Sequence, residues 1–514
     1  MRSAASLAAG PALLVTAGSV LLLATTAIGT PADADLWGHL TFGRDIVLSG
    51  RIAQPDLYSF TADRSWINHE WLAEVMFFAI HRAGGSMGLV CFKLALIAAV
   101  LATVWRSVAS AHATDDRPAT LRATAVLAAL AFIATYWRTH NIRPQLFSVL
   151  LFAVMLAILA KADRGRRTGV RDARALLVVP PLMTLWANLH GGWIVGFGIL
   201  GLWTAGRVID ARASRRGRLE LIALVAASLL ATLINPYGWR MWAFLVETIR
   251  PGRTDIEEWG SILTRPLALG VPWALVCAVA MLGLWRLRGS VNRTAVAIVA
   301  LLAVASFCVS RLDAFFGLSV AMLLGPPLAR AWPRAPSVIP ANRRHPGPGG
   351  IAITVGALAA MAVPAAGVIV PHASCLSVGG SWAPEAEAAR FIMLNELKGR
   401  LLTWFDWGEY AIWHFSPALR VSIDGRRETV YSEPLIQAHR RFYAAEEAAP
   451  AILRQLNPDY IWVPKRLPVS DRLPAEGWVA VFSGSTSQVF ARSGRGPFRQ
   501  VTQVPAGSRC FPGP

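Results

Sequence analysis

Residues 176–205 read LLVVPPLMTLWANLHGGWIVGFGILGLWTA. The run is apolar apart from scattered threonines and one polar break, Asn188-Leu189-His190-Gly191-Gly192. As one helix it would cross a membrane once. As two short helices joined by a tight turn it crosses twice, and every later loop changes side. The basic cluster from Arg207 to Arg218 decides between them. Loops retained in the cytoplasm are enriched in Lys and Arg, and two helices keep this cluster in step with the basic loops that begin at Arg106, Lys161, Arg286 and Arg330.

The rest of the chain follows the same alternation. Apolar runs fall at about Leu7–Ile28, Met87–Trp105, Ala123–Trp137, Gln145–Ala160, Leu219–Ile234, Leu267–Trp285, Ala295–Val309, Phe315–Leu328 and Ile351–Val370. With the broken pair they predict a polytopic α-helical membrane protein of about eleven transmembrane helices. Small residues near Ala27–Ala34 give the first run an alternative reading as a cleaved secretory signal, but its length favours a retained helix. The N-terminus is then cytoplasmic. Pro333–Gly350 reads as a cytoplasmic linker, and an odd number of spans leaves the tail outside.

Composition agrees. Of 514 residues, 54% are hydrophobic and 16% charged, with a mean hydropathy of +0.45, which requires a bilayer as part of the solvent. The net charge of +19 is spread among loops and not gathered on one face, so it indicates membrane topology and excludes a nucleic-acid partner. Two domains are expected: residues 1–370, transmembrane with a long first external loop at 30–85, and residues 371–514, an extracytoplasmic α/β domain. In the tail, Leu401–Trp407, Leu419–Ile423, Tyr460–Val463 and Trp478–Phe482 resemble strands, and Pro434–Leu456 has helical spacing. Cys375 and Cys510 bracket it and would be able to pair in an oxidising compartment.

A first external loop of this length is longer than a connection needs. It opens Asp33-Ala34-Asp35-Leu36-Trp37-Gly38-His39 and closes Trp66-Ile67-Asn68-His69-Glu70-Trp71. Asp35 and His39, four residues apart, would share one helix face. The loop's tryptophans suit the headgroup level. One reading makes Asp35 a general base, Asp33 and Glu70 alternative carboxylates, and His39 and His69 neighbours that hold substrate; the other makes the aspartates helix caps. The next external loop, Trp137-Arg138-Thr139-His140-Asn141-Ile142-Arg143-Pro144, breaks the charge rule. Arg138 and Arg143, with His140, would bind a lipid phosphate, or the arginines would merely snorkel. Asn188 and His190 in the broken segment and Asn235-Pro236-Tyr237-Gly238 place polar groups at the same depth. Glu257, Glu258 and Trp259 occupy a further external loop, suited to sugar recognition or to simple solvation. Neither a P-loop nor a dinucleotide fingerprint follows a strand.

Together, Asp33 to Trp37 with His39, Trp66 to Trp71, Arg143-Pro144-Gln145, Trp186 to Gly192, Asn235 to Gly238, Phe405-Asp406-Trp407-Gly408-Glu409-Tyr410 and Ile423-Asp424-Gly425-Arg426 resemble a group of bacterial membrane proteins related to the GT-C glycosyltransferases, such as protein mannosyltransferases and the aminoarabinose transferase of lipid A. The resemblance implies a bacterial inner-membrane location and a polyprenyl-phosphate sugar donor. It also implies a lipid, glycan or protein acceptor and a catalytic carboxylate at Asp35, with Asp33 as the alternative. It names no certain cofactor and leaves a divalent metal open, because the family's second acidic position has no clear match. Two other readings stand beside it: a transporter or flippase for a lipid-linked saccharide, which would carry repeated broken helices near the midplane, and a non-catalytic envelope assembly protein.

Overall fold

A computed structural model describes residues 27–110, 117–167, 173–209, 214–248, 257–287, 289, 291–331, 367, 370–380, 382–501 and 509–514. Most of the first and last apolar runs and the Pro333–Gly350 linker lie outside these residues. The chain forms two compact units. The first takes Met1–Thr30, Val90–Trp239 and Ile249–Ser374; the second takes Pro31–Leu89, Arg240–Thr248 and Cys375–Pro514.

Helices occupy the apolar runs that the sequence marks out: Trp71–Ala109, which Gly85 at φ 57° divides into two, Arg117–Thr139, Gln145–Arg167, Arg215–Thr232, Leu267–Leu287 and Arg293–Cys308. Among the described residues, Trp71–Ala109, Gln145–Arg164 and Leu267–Leu287 are long and apolar enough to cross a membrane, and four shorter apolar helices accompany them. The decisive run is broken where expected, into Val179–Leu189 and Trp193–Ile209. At the break His190 is extended, and Asn188 Nδ2 donates to the carbonyls of Thr184 and Ile234, both at 2.8 Å. The run expected at Phe315–Leu328 is three pieces, Asp313–Ser319, a π-helical turn at Val320–Leu324, and Gly325–Ala331.

The second unit is built on a five-stranded sheet. Its strands are β2 (Gly399–Thr403), β3 (Leu419–Val421), β4 (Tyr460–Pro464), β5 (Trp478–Ser483) and β6 (Ser487–Arg492), in the order β3-β2-β4-β6-β5. β2 runs parallel to both β3 and β4, and β6 is antiparallel to β4 and β5. One face buries Leu402, Ile461, Val463 and Phe490 against Phe442, Ile452, Leu453 and Leu456. These last come from two helices, Glu433–Tyr443 and Ala449–Leu456, where the spacing suggests one. Ala445, at φ 54°, marks the separation. The strand expected at Leu401–Trp407 stops at Thr403, and Phe405–Trp407 is a 3₁₀ turn leading into a helix, Gly408–Phe415.

Residues that follow the first apolar run add to this sheet. Ser59 bridges Val421 in parallel; Phe60 N–H donates to the Val421 carbonyl and Val421 N–H to that of Tyr58, each at 3.0 Å. β1 (Ser377–Val378) pairs antiparallel with β7 (Arg509–Cys510), and a disulfide joins Cys375 to Cys510 across 135 residues.

Candidate functional site

In the second unit the site begins with the turn into the helix Leu36–Ser49. Asp33 is buried; its Oδ1 accepts the Asp35 N–H at 3.1 Å and its carbonyl accepts that of Leu36 at 3.1 Å. Asp33 therefore shapes the turn. Asp35 occupies the first cap position with φ −80° and ψ −10°, a conformation from which its side chain makes no capping hydrogen bond. It is half-buried.

Asp35 faces a carboxylate from the far end of the chain. A Cβ placed on Gly425 would stand 2.5 Å from Asp35 Oδ1 and 2.7 Å from Glu409 Oε1. A side chain at Gly38 would overlap the Glu409 carboxyl as well. Two glycines thus wall the slot in which the acids meet, and no L side chain replaces either without displacing a carboxyl. Glu409 is 4% exposed and its Oε2 makes no hydrogen bond. Burial, followed by the charges of Asp35 and Asp424, pushes its carboxyl well above the usual carboxylate range, with Arg426 opposing.

Around this slot, Asp424 Oδ1 accepts from Arg426 Nε at 2.8 Å, and its Oδ2 accepts from Arg426 Nη2 at 2.7 Å and Tyr431 OH at 2.6 Å. Burial would raise Asp424, but the Arg426 guanidinium holds it below its ordinary value. Arg426 also pairs with Asp56 and lies 4.8–5.2 Å from the ring centres of Trp66, Phe42 and Tyr58. His39 Nδ1 stands 3.5 Å from Glu74 Oε1, and Glu74 Oε2 accepts from Asn68 Nδ2 at 2.5 Å. Burial disfavours the His39 imidazolium, but Glu74, Glu70 and Asp35 together outweigh it and raise His39. His69 Nε2 lies 3.5 Å from Glu70 Oε1. The structure therefore gathers Asp33, Asp35, His39, His69 and Glu70 in one unit and adds Glu74, Glu409, Asp424 and Arg426 to them.

The first unit holds the other candidates. Arg138 is buried, with Nε and Nη2 on Asp313 at 2.9 and 3.3 Å, Nη2 on the Ser310 carbonyl at 2.9 Å and Nη1 on Glu258 at 2.9 Å. Burial pushes Glu258 up, but Arg138, Arg311, Arg143 and Arg265 surround it and hold it below the usual carboxylate range. The His140 carbonyl accepts from Lys93 Nζ at 2.9 Å, and Lys93 also donates to Thr30. His190 Nδ1 accepts the Gly192 N–H at 3.0 Å and lies 2.6 Å from Ser148 Oγ, which accepts Trp186 Nε1 at 2.7 Å. With Nδ1 accepting, the neutral ring carries its proton on Nε2. Asn188 is spent on backbone carbonyls and clips two helix ends together.

Sequence reasoning did not find Lys93, Asp313 or Glu409. Lys93 had a signal, being the one charged residue in the apolar run Met87–Trp105. Asp313 sits at the mouth of another such run. Glu409 lies in a short soluble helix and had none beyond its place in the Phe405–Tyr410 segment. Among the described residues, no group of three or more His, Cys, Asp or Glu is arranged to hold a metal ion, so no step below is drawn through one.

Neither a family model nor a curated protein matches the sequence. Solved structures do match. The chain is similar to the oligosaccharyltransferase of Archaeoglobus fulgidus in its apo form, with a TM-score of 0.55 at 12% identity, covering 87% of this chain and 69% of that one. It is similar to apo ArnT from Cupriavidus metallidurans, with a TM-score of 0.55 at 14% identity over 93% and 97% of the two chains. The arabinofuranosyltransferase AftD from Mycobacteria gives a TM-score of 0.51 at 16% identity, covering 93% of this chain and 41% of AftD. Other structures in the set hold lipid phosphates, dolichol-phosphate with AglB and undecaprenyl phosphate with ArnT. The fold is GT-C-like.

Proposed function

On this GT-C-like scaffold, we propose that the chain transfers a sugar from a polyprenyl-phosphate-linked donor to a lipid, glycan or protein acceptor of the cell envelope, on the extracytoplasmic face of the bacterial inner membrane. The observation that carries the reading is Asp35: a half-exposed carboxylate at the start of a helix it does not cap, in a fold shared with lipid-phosphate-bound ArnT.

Asp35 takes the proton of an acceptor hydroxyl as that oxygen attacks the anomeric carbon. The bond from the anomeric carbon to the phosphate oxygen breaks, its electron pair leaves with the lipid phosphate, and a single displacement inverts the centre. In the first unit Arg143 is the residue assigned to a lipid phosphate, while Arg138 holds Glu258 and Asp313 in place. Asp33 supports the turn, Asn188 holds the helix break in place, and His39, His69, His140, His190 and Glu70 orient or bind substrate groups. The N-terminus is cytoplasmic and Cys375–Pro514 is outside. The test supplies purified protein with a panel of polyprenyl-phosphate sugars and follows release of polyprenyl phosphate. Turnover abolished by Asp35→Asn supports the reading; failure to bind or consume any member of the panel overturns it.

A further inference from the structure

We propose that Glu409 is the proton-bearing partner of Asp35: a neutral carboxyl whose O–H hydrogen-bonds the ionised Asp35 and sets its basicity. This role for Glu409 rests on the function proposed above, but its physical basis does not depend on which substrate is used.

Three observations carry it. Asp35 Oδ1 and Glu409 Oε1 approach the same point beside Gly425, at 2.5 and 2.7 Å. The two oxygens therefore lie within about 5 Å of each other, and two like charges that near in a buried slot disfavour joint ionisation. The second observation says where the proton resides. Asp35 is half-exposed and keeps water to solvate its charge, whereas Glu409 is 4% exposed with Oε2 lacking any hydrogen bond. A buried carboxylate oxygen with no donor is costly, and protonating the carboxyl removes the charge that makes it so. The third is the surrounding charge. Asp35, Asp424 and Glu74 all act on Glu409 to keep it neutral, and the one opposing cation, Arg426, is already divided between Asp424 and Asp56.

Glu409 is accordingly a positioning residue. When Asp35 takes a proton from the acceptor hydroxyl, the Glu409 O–H stays in place, and no proton need leave the slot until product departs. Were Glu409 ionised, its charge would work against the ionised form of Asp35 on which the proposed base role depends.

The test uses the full-length protein in detergent or nanodiscs, with two readouts that need no activity. Infrared difference spectra at neutral pH should show the C=O stretch of a protonated carboxylic acid, bleached on raising the pH and reduced in Glu409→Gln. Because folding raises the Glu409 pKa, the native state binds more protons than the unfolded one above the usual carboxylate range. The wild-type melting temperature should therefore fall with rising pH relative to Glu409→Gln, whose amide cannot titrate. Where transfer is measured, Glu409→Gln should lower kcat by about tenfold or less, the scale of one weakened hydrogen bond. It should also remove the alkaline limb of the pH profile. No acid band in the wild type, or a band unchanged in Glu409→Gln, overturns the proposal; so does a parallel pH dependence of the two melting temperatures. Absence of transfer with the band and its loss intact would instead fault the proposed reaction.

Discussion

Arg426 and Asp56, 370 residues apart in the chain, form a buried ion pair that ties the residues after the first apolar run to the edge of the C-terminal sheet. Arg426 completes the connection by gripping Asp424 through two nitrogens and lying among Phe42, Tyr58 and Trp66. Removing it leaves two buried carboxylates without their cation. Arg426→Ala should cost roughly 3–5 kcal/mol, the range for breaking a buried pair from one side. Thermal unfolding and protease sensitivity of the region around Asp56 should report it. Resistance equal to the wild type would show that the aromatic contacts suffice.

The Cys375–Cys510 disulfide closes a loop over a sequence separation of 135 and brackets the α/β fold. Chain entropy alone gives such a crosslink roughly 4–5 kcal/mol. Intact mass under non-reducing conditions should be lower by two hydrogens than after reduction, and the double serine variant should unfold at lower temperature.

Asp35 makes no cap bond, so chemistry and stability should separate at this position. Asp35→Asn and Asp35→Ala should each lower transfer by roughly a hundredfold or more, the scale for loss of a general base. Asp35→Asn should leave the melting temperature near that of the wild type, whereas Asp35→Ala also strips the Glu409 O–H of its acceptor and should lower it. A drop of about 1 kcal/mol on Asp35→Ala in a Glu409→Gln background would restore the capping role.

Arg138 and Arg143 should behave differently although both lie in the same short loop region. Arg138 is committed to Asp313, Glu258 and the Ser310 carbonyl, so Arg138→Ala should unfold the first unit more easily, by about 3–5 kcal/mol. Arg143→Ala should raise the KM for the lipid-linked donor about tenfold, as expected for one charge-assisted contact. Kinetics and thermal unfolding of both variants, side by side, check the distinction.

His39 supplies a pH dependence of definite sign. Its folded-state pKa lies above the ordinary histidine value because Glu74, Glu70 and Asp35 outweigh its burial. The stability it contributes is complete below about pH 6.5 and is lost as pH rises through the folded value. The melting temperature of the wild type should exceed that of His39→Gln most at acid pH, and the gap should narrow as the solution becomes alkaline.

Much of this protein is legible in its sequence, and the reason is local. The apolar runs are long, the glycines and Asn188 interrupt one of them at a definite place, and solvent preference acts on each segment independently of its neighbours. The helices at Arg117–Thr139, Gln145–Arg167, Val179–Leu189 and Trp193–Ile209 follow from that alone. So do β4 and β5 in the tail, whose alternating or continuous apolar character is self-evident over five or six residues. The importance attached to Asp35, His39 and Glu70 also came from the sequence, through their concentration next to a span.

Tertiary structure decided which polar groups meet. Nothing periodic in Gly408–Phe415 announces that Glu409 turns toward Asp35, or that Gly38 and Gly425 must lack side chains to admit it. Arg138, which the sequence offers as a phosphate ligand, has Asp313, 175 residues later, on its guanidinium, a partner no local pattern announces. Hydrophobic patterning places a segment in or out of water over a few turns, whereas a carboxylate's proton or an arginine's partner depends on charges brought near by long-range packing. The sequence determined the layers; the fold determined the pairs, because Coulomb interactions and desolvation act through space and not along the chain.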